Sequence, residues 1–151
     1  MKVLYFAYGS NLKIARMRAR APSARPDGIA VLRGYRLVCN KRGADGTAKA
    51  NLEPAPEEET WGALYRMTAA DLLELDRFEG GYQRIQLTVQ RPGGQALCAE
   101  TYRAQQLTDD PVPLEEYRAL RLEGAREHGL PPAHQARLAA LPWRRDPQRR
   151  A

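Results

Sequence analysis

Residues 3–8 form an unbroken apolar run rich in β-branched and aromatic side chains, closed by Gly9-Ser10-Asn11. That is the pattern of a buried strand entering a turn. Ser10 stands where it can cap a short helix running to about Arg20, stopped by Pro22. Alternation of Val31, Arg33, Tyr35 and Leu37 predicts a strand over 28–40. A second follows at 47–52, beyond the turn Arg42-Gly43-Ala44-Asp45-Gly46. The acidic, proline-bearing stretch 54–59 reads as a loop, and 61–67 as a strand with Gly62 inside it. Thr68 and Asp71 open a helix in the manner of a capping box. Its apolar side would carry Leu72, Leu73, Leu75 and Phe78, and Gly80-Gly81 would end it. Residues 82–90 and 96–104 alternate around Pro92-Gly93-Gly94 as a hairpin, and two helices, 114–127 and 132–141, flank Gly129-Leu130-Pro131. Strands with an inserted helix, then a run of helices, fit an α+β fold better than a doubly wound sheet.

At 151 residues the chain is expected to be one domain, 1–143. Residues 144–151 are a basic tail with no core pattern, for which disorder is an expectation. Cys39 and Cys98 have no metal-ligand spacing, and His128 and His134 are the only histidines. A disulfide scaffold, zinc knuckle, haem attachment or multi-histidine metal site is therefore not expected. Both cysteines fall in apolar strand patterns and read as buried structural residues, and both histidines as surface residues beside a helix break. No apolar run approaches the ~20 residues that cross a bilayer. The six apolar residues after Lys2 are too few for a secretory core, so a cytoplasmic location is expected.

The charge is unevenly spread. Residues 1–42 carry ten Lys/Arg against one acid, Asp27, whereas 43–100 carry five against ten. A basic end of this kind attracts an anionic ligand or nucleic acid, or is simply solvated surface. Without aromatic-interleaved basic motifs or a reading helix, nucleic acid is the poorer reading.

Two places can carry chemistry. Tyr8-Gly9-Ser10-Asn11 is a glycine turn between strand and helix, which either directs backbone N–H groups at a carboxylate or oxyanion or is an ordinary Ser-capped junction. Glu79 falls where a helix should stop, near Phe78 and Tyr82. There the helix dipole and desolvation both favour the protonated carboxyl; the alternative is a solvated surface glutamate. Asp76 reads as solvated or paired with Arg77, and Ser10 lacks the context of a hydrolase nucleophile. Tyr117 shares a helical face with Leu114 and Leu120, and its hydroxyl needs a partner if buried.

Three segments together are similar in identity and order to the γ-glutamylcyclotransferase family: residues 5–12 (YFAYGSNL), 75–80 (LDRFEG), and Tyr117 followed by 124–131 (GAREHGLP). The resemblance spans about 3–141. It implies a small mixed β-barrel with surrounding helices and a lyase or acyl-transfer type enzyme. Such an enzyme cyclises a γ-glutamyl amide to 5-oxoproline, needs no cofactor and releases an amine or amino acid. It implies Glu79 as catalytic acid/base, and substrate contacts from Tyr5, Phe6, Ala7, Tyr8, Gly9, Ser10, Asn11, Tyr82 and Tyr117. The short stretch Gly80-Gly81-Tyr82 after Glu79 departs from the longer loop of some members. In this it looks more like γ-glutamylamine cyclotransferases and bacterial enzymes acting on carrier-linked γ-glutamyl groups, so the leaving group is open, as are oligomeric state and pathway. A non-catalytic module binding an anionic metabolite or nucleic acid is the alternative from another class.

Overall fold

Side chains of the first strand, β1 (Lys2–Ala7), alternate between two cores. Leu4 and Phe6 face Ala30, Leu32, Leu64, Val89 and Ala99, which come from the four other strands, so this cluster is the inside of a closed barrel. Tyr5 and Ala7 face the other way, onto Leu12, Met17, Leu72, Ala125 and Leu138 outside it. The structure is a computed structural model and describes residues 2–145.

The barrel order is β1, β3 (Ala48–Thr68), β2 (Arg25–Arg42), β4 (Tyr82–Gln90), β5 (Ala96–Ala104). Neighbours are antiparallel except β1 and β5, which meet in parallel at Tyr5 and Glu100, so the barrel is mixed. The fold is the α+β barrel with helices that the sequence led us to expect.

Strands β2 and β3 are far longer than the usual five or six residues. The expected acidic loop at 54–59 lies within β3, and the reason is visible in the register. Arg33 pairs with Glu59 and Tyr35 with Pro54, so residues 55–58 bulge outward opposite the single residue Gly34, whose φ is +85°. Acids and prolines are accommodated in a strand because the ladder is interrupted there.

Four helices are placed among the described residues: α1 (Ile14–Arg20), α2 (Ala69–Asp76), α3 (Glu115–His128) and α4 (Pro132–Ala139). Ser10 does not cap α1. It begins a single 3-10 turn, Ser10–Leu12, after which Lys13 is extended and α1 starts afresh. Thr68 does cap α2, accepting from the Asp71 N–H at 3.1 Å, but the reciprocal bond goes to Ser23, whose N–H donates to Asp71 and whose hydroxyl accepts from Thr68 N–H. Helix α2 ends at Asp76, short of Gly80. The N–H groups of Arg77, Phe78 and Glu79 then each bond the carbonyl three residues back, tightening the chain. This leaves Leu73 (62%) and Phe78 (53%) exposed rather than buried, while Leu72 and Leu75 are core.

Other expectations are corrected too. Cys39 is buried but Cys98 is exposed, on the outer side of β5. His134 is buried, with its pKa pushed down to about 4 by burial and by Arg121 and Arg137. His128 is half-buried and bonded, as described below. Asp76 pairs with Arg84 at 3.0 Å and accepts from the Tyr102 hydroxyl, while Arg77 pairs with Glu74. In the expected tail, Arg144 is seated: its N–H bonds Pro113, its carbonyl accepts from Glu115, and its guanidinium meets Asp110 at 2.6 Å. Residues 146–151 lie outside the described residues.

Helix α3 lies directly on the 3-10 turn. A Cβ at Gly124 would collide with the backbone of Leu12 and Lys13, so only glycine allows this approach. Glycine to alanine inside a helix ordinarily stabilises by ~1 kcal/mol. Here Gly124→Ala is expected to destabilise by about 1–3 kcal/mol through overpacking, read from the urea midpoint. An unchanged or raised midpoint would contradict the packing described.

Candidate active site

The turn after β1, the loop after α2, Arg16 and Arg20 of α1 and the tip of the β2–β3 hairpin enclose a cavity of about 370 Å³ where the two cores meet. That size lies in the range of small-molecule sites, roughly 300–1,000 Å³. The tight turns after α2 bury Glu79 in this cavity, while Phe78 lines it from an exposed position. The Glu79 side chain is 11% exposed.

Asn11 organises this carboxylate. Its side-chain amide donates 2.7 Å to Glu79 Oε1 and 3.0 Å to the Tyr5 hydroxyl, while its Oδ1 accepts from Arg20 Nη1 at 3.1 Å. Arg20 also stands 3.6 Å from Glu79 Oε1 and lies over the Phe78 ring, 5.2 Å from its centre. Burial pushes the Glu79 carboxyl above the usual range, against the opposing pull of Arg20, the Asn11 bond, Lys41 and Arg16. Burial therefore accounts for the direction, without the helix dipole invoked from sequence.

The turn is held from both sides. Tyr65 Oη donates to the carbonyls of Asn11 (3.0 Å) and Leu12 (3.2 Å), and His128 Nε2 donates to Leu12 at 2.9 Å. Glu127 accepts from the Ile14 N–H and pairs with Lys13. A one-turn 3-10 helix leaves its first N–H groups outside its own ladder, so those of Gly9, Ser10 and Asn11 are not consumed by it. Five tyrosines line the wall: Tyr5, Tyr8, Tyr82, Tyr102 and Tyr117. Tyr8 and Tyr82 donate to the carbonyls of Tyr102 and Ala50, whereas Tyr5 and Tyr117 accept, from Asn11 and from the Ala50 N–H, and keep a proton to donate. Burial pushes the Tyr117 phenol up to about 12, so it stays protonated at neutral pH.

Residues 5–119 match the model of a family described as "Gamma-glutamyl cyclotransferase, AIG2-like". The chain belongs to that family. It is 32% identical over 147 residues to the gamma-glutamylcyclotransferase of Bos taurus, covering 91% of this chain and 78% of that protein, with the same figures for the Homo sapiens protein. A solved gamma-glutamyl cyclotransferase structure superposes with a TM-score of 0.91 at 27% identity, covering 100% of this chain and 94% of that one. Its relatives are enzymes, and this chain is an enzyme of the gamma-glutamyl cyclotransferase family.

Against that family resemblance, the cavity gathers Tyr5, Tyr8, Gly9, Ser10, Asn11, Glu79, Tyr82 and Tyr117 on its wall. Phe6 and Ala7 are not there: Phe6 is packed inside the barrel and Ala7 in the outer core, both fully buried. Sequence reasoning missed the cations Arg16, Arg20, Lys41 and Lys49. The signal was the basic excess of residues 1–42, three of whose bases end on the cavity wall; no periodicity shows which ones. Among the described residues no cluster of His, Cys, Asp and Glu is arranged to hold a metal, and no helix is long and apolar enough to cross a membrane.

Arg20 and Asn11 both favour ionised Glu79. Arg20→Leu and Asn11→Ala are each expected to raise the Glu79 titration midpoint, followed by carboxyl-carbon NMR. A midpoint that stays or falls in both variants would contradict this electrostatic account.

Proposed function

We propose that the enzyme cyclises a small γ-glutamyl compound to 5-oxoproline, releasing the attached amine, with Glu79 as proton acceptor and donor. The observation that carries this reading is a buried carboxylate of raised pKa, held by Asn11 and Arg20, on the wall of a cavity of small-molecule size.

The substrate's α-ammonium has three protons and no lone pair to attack with. Ionised Glu79 takes one, and the free amine attacks the γ-carbonyl carbon of the same molecule, forming the new C–N bond and a tetrahedral oxyanion. Returning that proton to the departing nitrogen makes it a leaving group, and the old C–N bond breaks. Overall two protons pass from attacking to leaving nitrogen, and one carboxylate that alternates between its forms carries both in turn. No water is consumed. A raised pKa suits this alternation, since the carboxyl has to release its proton as readily as it accepts one.

Attack within one molecule needs the substrate folded, not two molecules brought together. The N–H groups of Gly9, Ser10 and Asn11 are donors for the substrate α-carboxylate or the developing oxyanion. The remaining O–H of Tyr117, and that of Tyr5, supply further donors on the same wall.

The test is release of 5-oxoproline, followed by mass spectrometry, from a panel of γ-glutamyl amino acids, γ-glutamylamines and glutathione. Glu79→Gln is expected to lower turnover roughly 10²–10⁴-fold, the usual worth of a positioned acid/base. Its stability carries an independent sign. A carboxyl with a folded pKa above its unfolded value loses stability as pH rises through that interval. Glu79→Gln should therefore be as stable as the parent or more so at neutral pH, with the gain vanishing in acid. Normal turnover by this variant would remove Glu79 from the chemistry.

A further inference from the structure

Lys41 is 6% exposed and lines the cavity from the β2–β3 hairpin, yet among the described residues no carboxylate forms an ion pair with it. Its ammonium lies 4.8 Å from the centre of the Tyr82 ring. The charged groups that face it are Glu79 and Asp45, which attract it, and Lys49, which repels it. Both acids have nearer cations: Glu79 has Arg20 at 3.6 Å and Asp45 has Lys49 at 3.5 Å.

A buried cation with no counter-ion is costly, and a fold tolerates it where something else supplies the charge. This one is built in. A Cβ on Gly81, whose φ is +82°, would stand 2.9 Å from Lys41 Cε and 3.0 Å from Nζ. The loop after Glu79 is thus glycine where the lysine stem crosses it, which lets the stem lie against the loop with its ammonium on the cavity wall.

The glutamyl half of the substrate brings one carboxylate. Arg16, bonded to Ser10 Oγ at 3.1 Å with no acid paired to it among the described residues, stands with the turn that would receive it. Lys41 is on a different wall, that of the β2–β3 hairpin. Resting on the cyclotransferase reading above, we propose that Lys41 is a specificity-determining residue that selects γ-glutamyl compounds whose leaving group carries a carboxylate, over those that release an amine without one.

A matched pair tests this: γ-glutamyl-alanine and γ-glutamyl-ethylamine differ by that carboxylate alone. The parent enzyme is expected to favour γ-glutamyl-alanine in kcat/KM by roughly 10- to 100-fold, the worth of one charge-assisted hydrogen bond. Lys41→Met should lower kcat/KM for the alanine compound at least ~10-fold more than for the ethylamine compound, and Lys41→Arg should keep the preference. The thermal midpoint of Lys41→Met should not fall, because an unpaired buried charge is replaced by an apolar chain of similar length. Equal rates on the two compounds, an equal loss on both in Lys41→Met, or a lowered midpoint in that variant would overturn the proposal while leaving the cyclotransferase reading standing. Absence of 5-oxoproline from both compounds would overturn the two together.

Discussion

A carboxylate removed from water has to be met by something other than water, and here the 2.7 Å bond from the Asn11 amide to Glu79 meets it. Asn11 presents N–H to the carboxylate and C=O to Arg20, so one side chain sets the distance between the acid and its nearest cation. Remove that fork and Glu79 and Arg20 are free to close into a simple ion pair or to separate. Either change alters the balance between burial, which favours the proton, and the surrounding cations, which oppose it.

Much of the fold exists to fix Asn11. Its residue lies in a single 3-10 turn, too short to be stable alone, so its rigidity comes from outside. Tyr65 and His128 bind its carbonyl side, and Gly124 lets α3 press against it from above. Helix α3 is in turn ended by Gly129 in the left-handed region, with Leu130 N–H bonding back to Ala125. Helix α3 therefore contributes to the site twice, through the backbone of the turn and through Tyr117 on the cavity wall. The long β2–β3 hairpin forms the opposite wall, where Tyr117 and Tyr82 bind the N–H and C=O of Ala50.

The barrel strands were legible because alternation and glycine turns report directly on local geometry: β4 and β5 fall at the expected residues. The bulge at 55–58 was not, since proline and acid runs signal a loop whether or not the chain on either side keeps its partner. Likewise the end of α2 is set by the tight turns at 77–79, which no side chain announces, and those turns leave Glu79 buried and Phe78 exposed. Glu79 and the turn stood out by their segments' resemblance to a family. The cations did not, because Arg16, Arg20 and Lys41 look like other surface bases until tertiary contact separates them.

The most direct test of the account compares two curves on the parent enzyme: the acid limb of kcat/KM against pH, and the ionisation of Glu79 followed by NMR in the same buffer. The two are expected to coincide, with a midpoint above that of an ordinary glutamate, and activity is expected to be lost as pH falls through it. An acid limb that falls elsewhere while Glu79 titrates undisturbed would show that the reaction does not depend on this carboxylate.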